Sequence, residues 1–188
     1  MMENPALCMP FGVDIDLIKG AMGDPDRVIV RKASNMIGMY ADEAALSRLI
    51  EHGDPVHYEV FEKAIPDVEG HLIICISKLY PGKVGEEYYM TKGHYHMVAG
   101  TAEIYLGVAG QGFMLMKTSD GKCVAEPIRH GRMVYVPPYW AHRSINTDDV
   151  PLVSFCVYPG GAGHNYGDIE KEGFPKRIFN KHGVPVTQ

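Results

Sequence analysis

The chain has 188 residues, 46% hydrophobic and 22% charged, with 18 Lys+Arg against 23 Asp+Glu for a formal charge of −5. That length suits one ordinary domain with a real core, and an acidic balance without any Lys/Arg run excludes a sequence-independent grip on nucleic acid. Gly and Pro, 21 and 13 residues, are spread along the chain, which predicts many turns and short strands.

In chain order, the N-terminus Met1-Met2-Glu3-Asn4-Pro5 has no basic region and no long apolar run, so it does not read as a secretory signal. The longest apolar stretch, Leu72–Ile76, falls far short of the ~20 residues a membrane span needs, and no membrane partner is expected. Cys8, Cys75, Cys123 and Cys156 form no CxxC pair. Cys75 and Cys156 sit in apolar runs as small core hydrophobes. These features predict a soluble, reduced, cytoplasmic protein.

The first regular element is a short helix. Asp42-Glu43 opens it, Ala45, Leu46, Leu49 and Ile50 follow at helical spacing, and Gly53 stops it. From Val56 the pattern turns to strands: Val56–Glu62, Leu72–Tyr80, Glu87–Thr91, Glu103–Val108, Phe113–Lys117, Met133–Val136 and Leu152–Tyr158. Pro81-Gly82, Gly110-Gln111-Gly112 and Ser119-Asp120-Gly121-Lys122 supply turn chemistry between them. Strands at this spacing predict an all-β sandwich or barrel. The expected organisation is a single domain over 1–188: an N-terminal annex to about 55 carrying the helix, a barrel core to about 160, and a C-terminal segment over 161–188. The last dozen residues are expected to form a surface tail.

The nine histidines concentrate the chemistry. His94 and His96, two apart in an extended segment, project from one face. Glu103 opens the next strand-like run, and His142 follows Val136-Pro137-Pro138-Tyr139-Trp140, where it is expected to end a strand. Three imidazoles and a carboxylate form an N₃O set for a borderline divalent metal, leaving octahedral positions for water or substrate. No thiolate belongs to the set, which argues against a structural zinc. His52, His57, His71, His130 and His182 stand apart and read as surface or structural residues. Gly107, Gly110 and Gly112 read as a hairpin, since no strand–helix unit frames them as a dinucleotide loop. Lys92 reads as a solvated surface lysine, and Trp140 is expected to pack beneath the site.

These residues fall into two spaced motifs. His94, His96, Glu103 and Gly110 form the first; Gly131, Pro137, His142 and Asn146 form the second, with Tyr139 where a glycine is usual. The chain thereby resembles the cupin superfamily, which implies a jelly-roll-like antiparallel β-barrel with a metal inside. Four longer stretches, Leu79–Gly85, Thr91–His96, Val136–Arg143 and Tyr158–Gly167, are similar to the cupin-type glucose-6-phosphate isomerases. Pro10-Phe11-Gly12 and the short helix fit as well.

The resemblance implies a metal-dependent aldose–ketose isomerase interconverting glucose 6-phosphate and fructose 6-phosphate. It further implies one divalent ion per subunit, with iron(II) favoured and manganese(II), nickel(II) or zinc(II) tolerated, and a homodimer. His94, His96, Glu103 and His142 are the implied ligands. Glu103 is the implied proton-transfer carboxylate, with Tyr105 and His164 beside the reaction. Tyr58, Ser77, Thr91, Gly93, Tyr105, Tyr158, His164 and Tyr166 are the implied substrate contacts. Tyr105 lies two residues beyond Glu103 and shares its strand face. Two routes stay open, a cis-enediol proton transfer and a metal-assisted hydride shift, because a metal-bound carboxylate is a poor base. An Fe(II)-dependent cupin dioxygenase and a non-catalytic sugar-binding cupin are the alternatives.

Overall fold

A computed structural model describes residues 8–188; Met1–Pro5 lie outside the described residues. The first elements are β1 (Ile15–Asp16), β2 (Ala21–Met22), β3 (Arg27–Lys32), α1 (Glu43–Glu51), β4 (Val56–Glu62), β5 (Leu72–Leu79), β6 (Lys83–Val84), β7 (Glu87–Tyr88) and β8 (Tyr95–His96). Then come β9 (Glu103–Ala109), β10 (Gln111–Lys117), β11 (Cys123–Arg129), β12 (Met133–Val136), β13 (Ala141–Asn146), β14 (Leu152–Pro159), β15 (His164–Asn165), α2 (Gly167–Glu172), β16 (Ile178–Lys181) and β17 (Val184–Thr187). No helix among the described residues is long and apolar enough to cross a membrane.

Helix α1 forms where its pattern predicts. The Asp42 carboxylate accepts the Ala45 N–H at 2.8 Å, satisfying one of the donors that a helix start leaves free. Leu46 is buried on its inner face.

All strand pairing among the described residues is antiparallel. One sheet runs β12-β9-β14-β5-β4-β3, and a second runs β11-β10-β13. Isolated bridges Met90↔Ile145 and His94↔His142 seat the segment before β8 against β13, and β8 pairs with β15. The two sheets enclose one large core that includes Met36, Leu79, Met114, Leu115, Ile128 and Ile145. The molecule is a cupin-type antiparallel barrel, with two α-helices among the described residues.

Register explains how the site is built. Across the larger sheet, Tyr105 stands opposite Cys156, Cys156 opposite Cys75, Cys75 opposite Glu62, and Glu62 opposite Arg27. A row of side chains from five neighbouring strands therefore faces the barrel interior, because alternate residues share a face. Cys75 and Cys156 are free, buried thiols, as their apolar surroundings predict.

Several features differ from the sequence expectations. Glu87–Thr91 is a strand only at Glu87–Tyr88, because the chain there crosses toward β13. His142 does not end a strand; it lies at the start of β13, after the turn through Tyr139. The last dozen residues are a hairpin rather than a tail, closed by Arg177 and Gln188 exchanging backbone hydrogen bonds at 2.7 and 2.9 Å. Ile178 is buried there, and β16 pairs with β7 through Phe179↔Glu87. Finally, Tyr139, which stands where a glycine is usual, has a left-handed backbone with φ +70°, and its N–H donates to Ala99 O at 2.7 Å. The turn tolerates the side chain because it points to solvent.

Candidate metal centre and substrate cavity

Three chain segments deliver the four ligand-type residues to one point. His94 comes from the bridge to β13, His96 from β8, Glu103 from the start of β9, and His142 from β13. One donor atom from each lies within 4.8 Å of all the others. Glu103 Oε2 is 2.9 Å from His142 Nε2 and 3.2 Å from His96 Nε2, with Glu103 only 3% exposed. Tyr105 Oη lies 3.1 Å from His142 Nε2.

The hydrogen bonds around His96 fix its tautomer. Thr101 Oγ1 donates to Val98 O at 2.7 Å, so its lone pairs are left to accept from His96 Nδ1, also at 2.7 Å. The proton is thereby on Nδ1, and the Nε2 lone pair faces the cluster. His94 Nε2 is buried without a hydrogen-bond partner. Buried polar atoms rarely stay unpaired, and a cation among these donors would satisfy such a lone pair. The donor set fits a divalent ion.

Electrostatics point the same way. Burial alone would favour the neutral acid at Glu103, yet the His142 imidazole, 2.9 Å away, holds it well below the usual carboxylate range. Burial, with His142 and His164 nearby, keeps His94 neutral. Burial and the Glu103 charge push the Tyr105 phenol well above its ordinary value, so it stays a hydrogen-bond donor.

Beside the cluster lies a cavity whose lining contains all eight sequence-predicted substrate residues: Tyr58, Ser77, Thr91, Gly93, Tyr105, Tyr158, His164 and Tyr166. His94 and Glu103 line it too, while His96 and His142 stand behind its wall. His164 pairs with His96 through the backbone, and its ring centroid is 4.3 Å from that of His94. Gly93 has φ +77°, and a Cβ there would sit 2.9 Å from His142 O, so no other residue fits this close approach.

Sequence reasoning missed several lining residues, notably Arg31, Arg27, Glu62 and Ser144. Both arginines belong to β3, a strand not foreseen, whose β-branched Val28-Ile29-Val30 run was the available signal. Lys92 is not freely solvated: its side chain is 23% exposed and pairs with Glu170 at 2.9 Å. Trp140 packs against the main core and does not line the cavity.

An antiparallel barrel with three imidazoles and a carboxylate on its inner wall is a cupin with a metal-type centre. The chain matches the family model "Glucose-6-phosphate isomerase (GPI)" over residues 30–186. It is 44% identical to a glucose-6-phosphate isomerase of Thermococcus litoralis over 95% of this chain and 94% of that one. A glucose-6-phosphate isomerase of Thermococcus gammatolerans is 47% identical over 93% and 91%. The chain belongs to the glucose-6-phosphate isomerase family. Among solved structures, an oxalate oxidase aligns over 60% of this chain and 56% of its own, with a TM-score of 0.48 and 13% identity. That likeness says nothing about the reaction.

Proposed function

We infer that the protein is an isomerase interconverting glucose 6-phosphate and fructose 6-phosphate. The observation that carries this reading is a single cavity joining a carboxylate–imidazole cluster to the hydroxyls of Tyr58, Ser77 and Thr91, in a chain of that family. Such a cavity accepts an open-chain sugar with its reacting carbons at one end and its phosphate at the other.

A divalent ion held by His94, His96, Glu103 and His142 would supply electrophilic stabilisation of charge on the neighbouring C1 and C2 oxygens. Glu103, ionised and facing the cavity, takes the proton from one carbon and returns it to the other. Tyr105 stays protonated and donates to a substrate oxygen. His164, held neutral by burial, has a lone pair for the hydroxyl proton lost during ring opening. Thr91, Ser77, Tyr58 and the Gly93 N–H surround the phosphate. Tyr158 and Tyr166 shape the sugar channel. The competing route shifts a hydride directly from C2 to C1 and leaves Glu103 as a ligand only.

Iron(II) is the favoured ion, and manganese(II), nickel(II) and zinc(II) suit the same donors. The chain works in the cytoplasm, where buried thiols such as Cys75 and Cys156 stay reduced, and pairs as a homodimer through exposed apolar side chains such as Val28 and Val30.

A strictly anaerobic assay of fructose 6-phosphate conversion, with and without chelator, tests the reading. Conversion that stops on metal removal and resumes on iron(II) addition is expected, with metal content measured on the same sample. Absence of conversion, or substrate-dependent oxygen uptake in air, would replace the isomerase with a binding protein or a dioxygenase. Sedimentation of the same sample should give twice the 20.8 kDa chain mass; a monomer removes the dimer.

A further inference from the structure

Resting on the phosphosugar reading above, we propose that Arg31 is the countercharge of the substrate phosphate and sets the preference for phosphosugars over free sugars. A phosphate monoester brings between one and two negative charges at neutral pH. The cavity wall already holds two carboxylates, Glu103 and Glu62. Ser77, Thr91, Gly93 and Tyr58 offer hydrogen bonds but no charge, and Thr91 Oγ1 also accepts the Ser144 N–H at 3.0 Å. Burying an anion with neutral donors alone is strongly unfavourable.

Two guanidiniums line the cavity, both from β3. Arg27 is already engaged: its Nε lies 2.8 Å from Glu62, and its side chain is 65% exposed. Arg31 has no ion-pair partner among the described residues. It stands directly opposite Tyr58 in the β3–β4 register, with its guanidinium beside the Tyr58 hydroxyl.

Other nearby cations are committed elsewhere. Lys92 pairs with Glu170 outside the cavity. Arg143 is buried behind the wall, donating to Lys92 O at 2.7 Å and stacking on Phe174 at 4.1 Å. Arg31 is the remaining free charge at the Tyr58 end. Its planar fork can donate two parallel N–H bonds to phosphate oxygens, which a lysine cannot reproduce.

The metal-loaded enzyme tests this with Arg31→Met, Arg31→Gln, Arg31→Lys and, for comparison, Arg27→Met. Calorimetric affinity for glucose 6-phosphate should fall about 100-fold in Arg31→Met and Arg31→Gln. KM for fructose 6-phosphate should rise by a similar factor, with kcat within about threefold. Arg31→Lys should recover part of the loss. Inorganic phosphate should inhibit the wild type competitively and the Met variant far less. Arg27→Met should lose far less than Arg31→Met, because the Arg27 guanidinium is spent on Glu62.

Folded Arg31→Met or Arg31→Gln protein that binds glucose 6-phosphate as wild type does would overturn the assignment. So would a wild type that does not bind it, or a loss that appears in Arg27→Met instead. Failure of the isomerase reading looks different: a wild type that binds glucose 6-phosphate without converting it. The Arg31 assignment is then still decided by the ratio of affinities.

Discussion

Two histidine environments lie within the same barrel. His57, on β4, has no solvent exposure; its ring stacks on Tyr89 with centroids 3.7 Å apart, and Tyr40 meets it edge-on at 5.7 Å. His94 faces the rings of His164, His142 and His96 at 4.3, 4.5 and 5.6 Å. Burial makes both imidazoles poor bases. Each also has an unpartnered Nε2. The difference is the company: His57 has aromatic faces around it, whereas the His94 cluster converges on the Glu103 carboxylate. Burial by itself yields a neutral structural ring. A site needs several lone pairs aimed at one point with a fixed negative charge among them.

The largest effect should follow from removing that charge without changing shape. Glu103→Gln is expected to lower kcat by about 10²–10⁴-fold, the range for losing a positioned acid–base group. Turnover should be compared at matched metal content, since the three imidazoles remain. Full turnover with normal metal loading would assign the hydrogen transfer to a hydride shift and reduce Glu103 to a ligand.

The contrast also shows what a sequence can display. The HxH spacing made His94 and His96 visible because a two-residue period puts both on one face. His57 lies outside that cluster, yet nothing in its sequence neighbours announces complete burial, which depends on Tyr89 and Tyr40. Strand β13 went unseen because its six residues are all buried while His142, Arg143, Ser144 and Asn146 are polar. Tertiary partners satisfy them: Asn146 Nδ2 donates to both Leu79 O and Val150 O at 2.9 Å. Hydrophobicity cannot flag such a strand. Strand β11 hid behind Pro127, a residue that counts against a central strand; β11 is an edge, where the missing N–H does no harm. The eight proposed substrate residues, which line one cavity, were placed by family motif, and Arg31 escaped because β3 did.

The next prediction uses pH to separate the two environments. Burial lowers the His57 pKa from 6.5 to about 4. The unfolded chain therefore binds the proton more readily, and stability fully present above pH 6.5 is lost as pH falls toward 4. Between pH 7 and 5 the loss from this one group should be about 2 kcal/mol. His57→Phe keeps an aromatic ring against Tyr89 and cannot titrate. With the metal site loaded in both proteins, its denaturant midpoint should fall less between pH 7 and 5. Parallel pH profiles would show that His57 is protonated in the native state after all.

The smallest effect concerns what orients a ligand ring once it is buried. His57 has only a 3.4 Å approach from Nδ1 to Pro55 O, too long to fix a tautomer. His96 has a strong one, because Thr101 Oγ1, having spent its proton on Val98 O, can only accept from Nδ1. Thr101→Val removes that acceptor at nearly constant volume. The Thr101 carbonyl, 3.3 Å from the same nitrogen, remains as a weaker partner. Metal affinity should therefore fall by about tenfold, the low end of what outer partners of ligating histidines contribute. Competition against a chelator of known strength measures it, and unchanged affinity would mean that the backbone carbonyl alone holds the Nδ1 proton. Such a result would bring the two histidines closer together, leaving the shared carboxylate as the one feature that separates a metal centre from a buried ring.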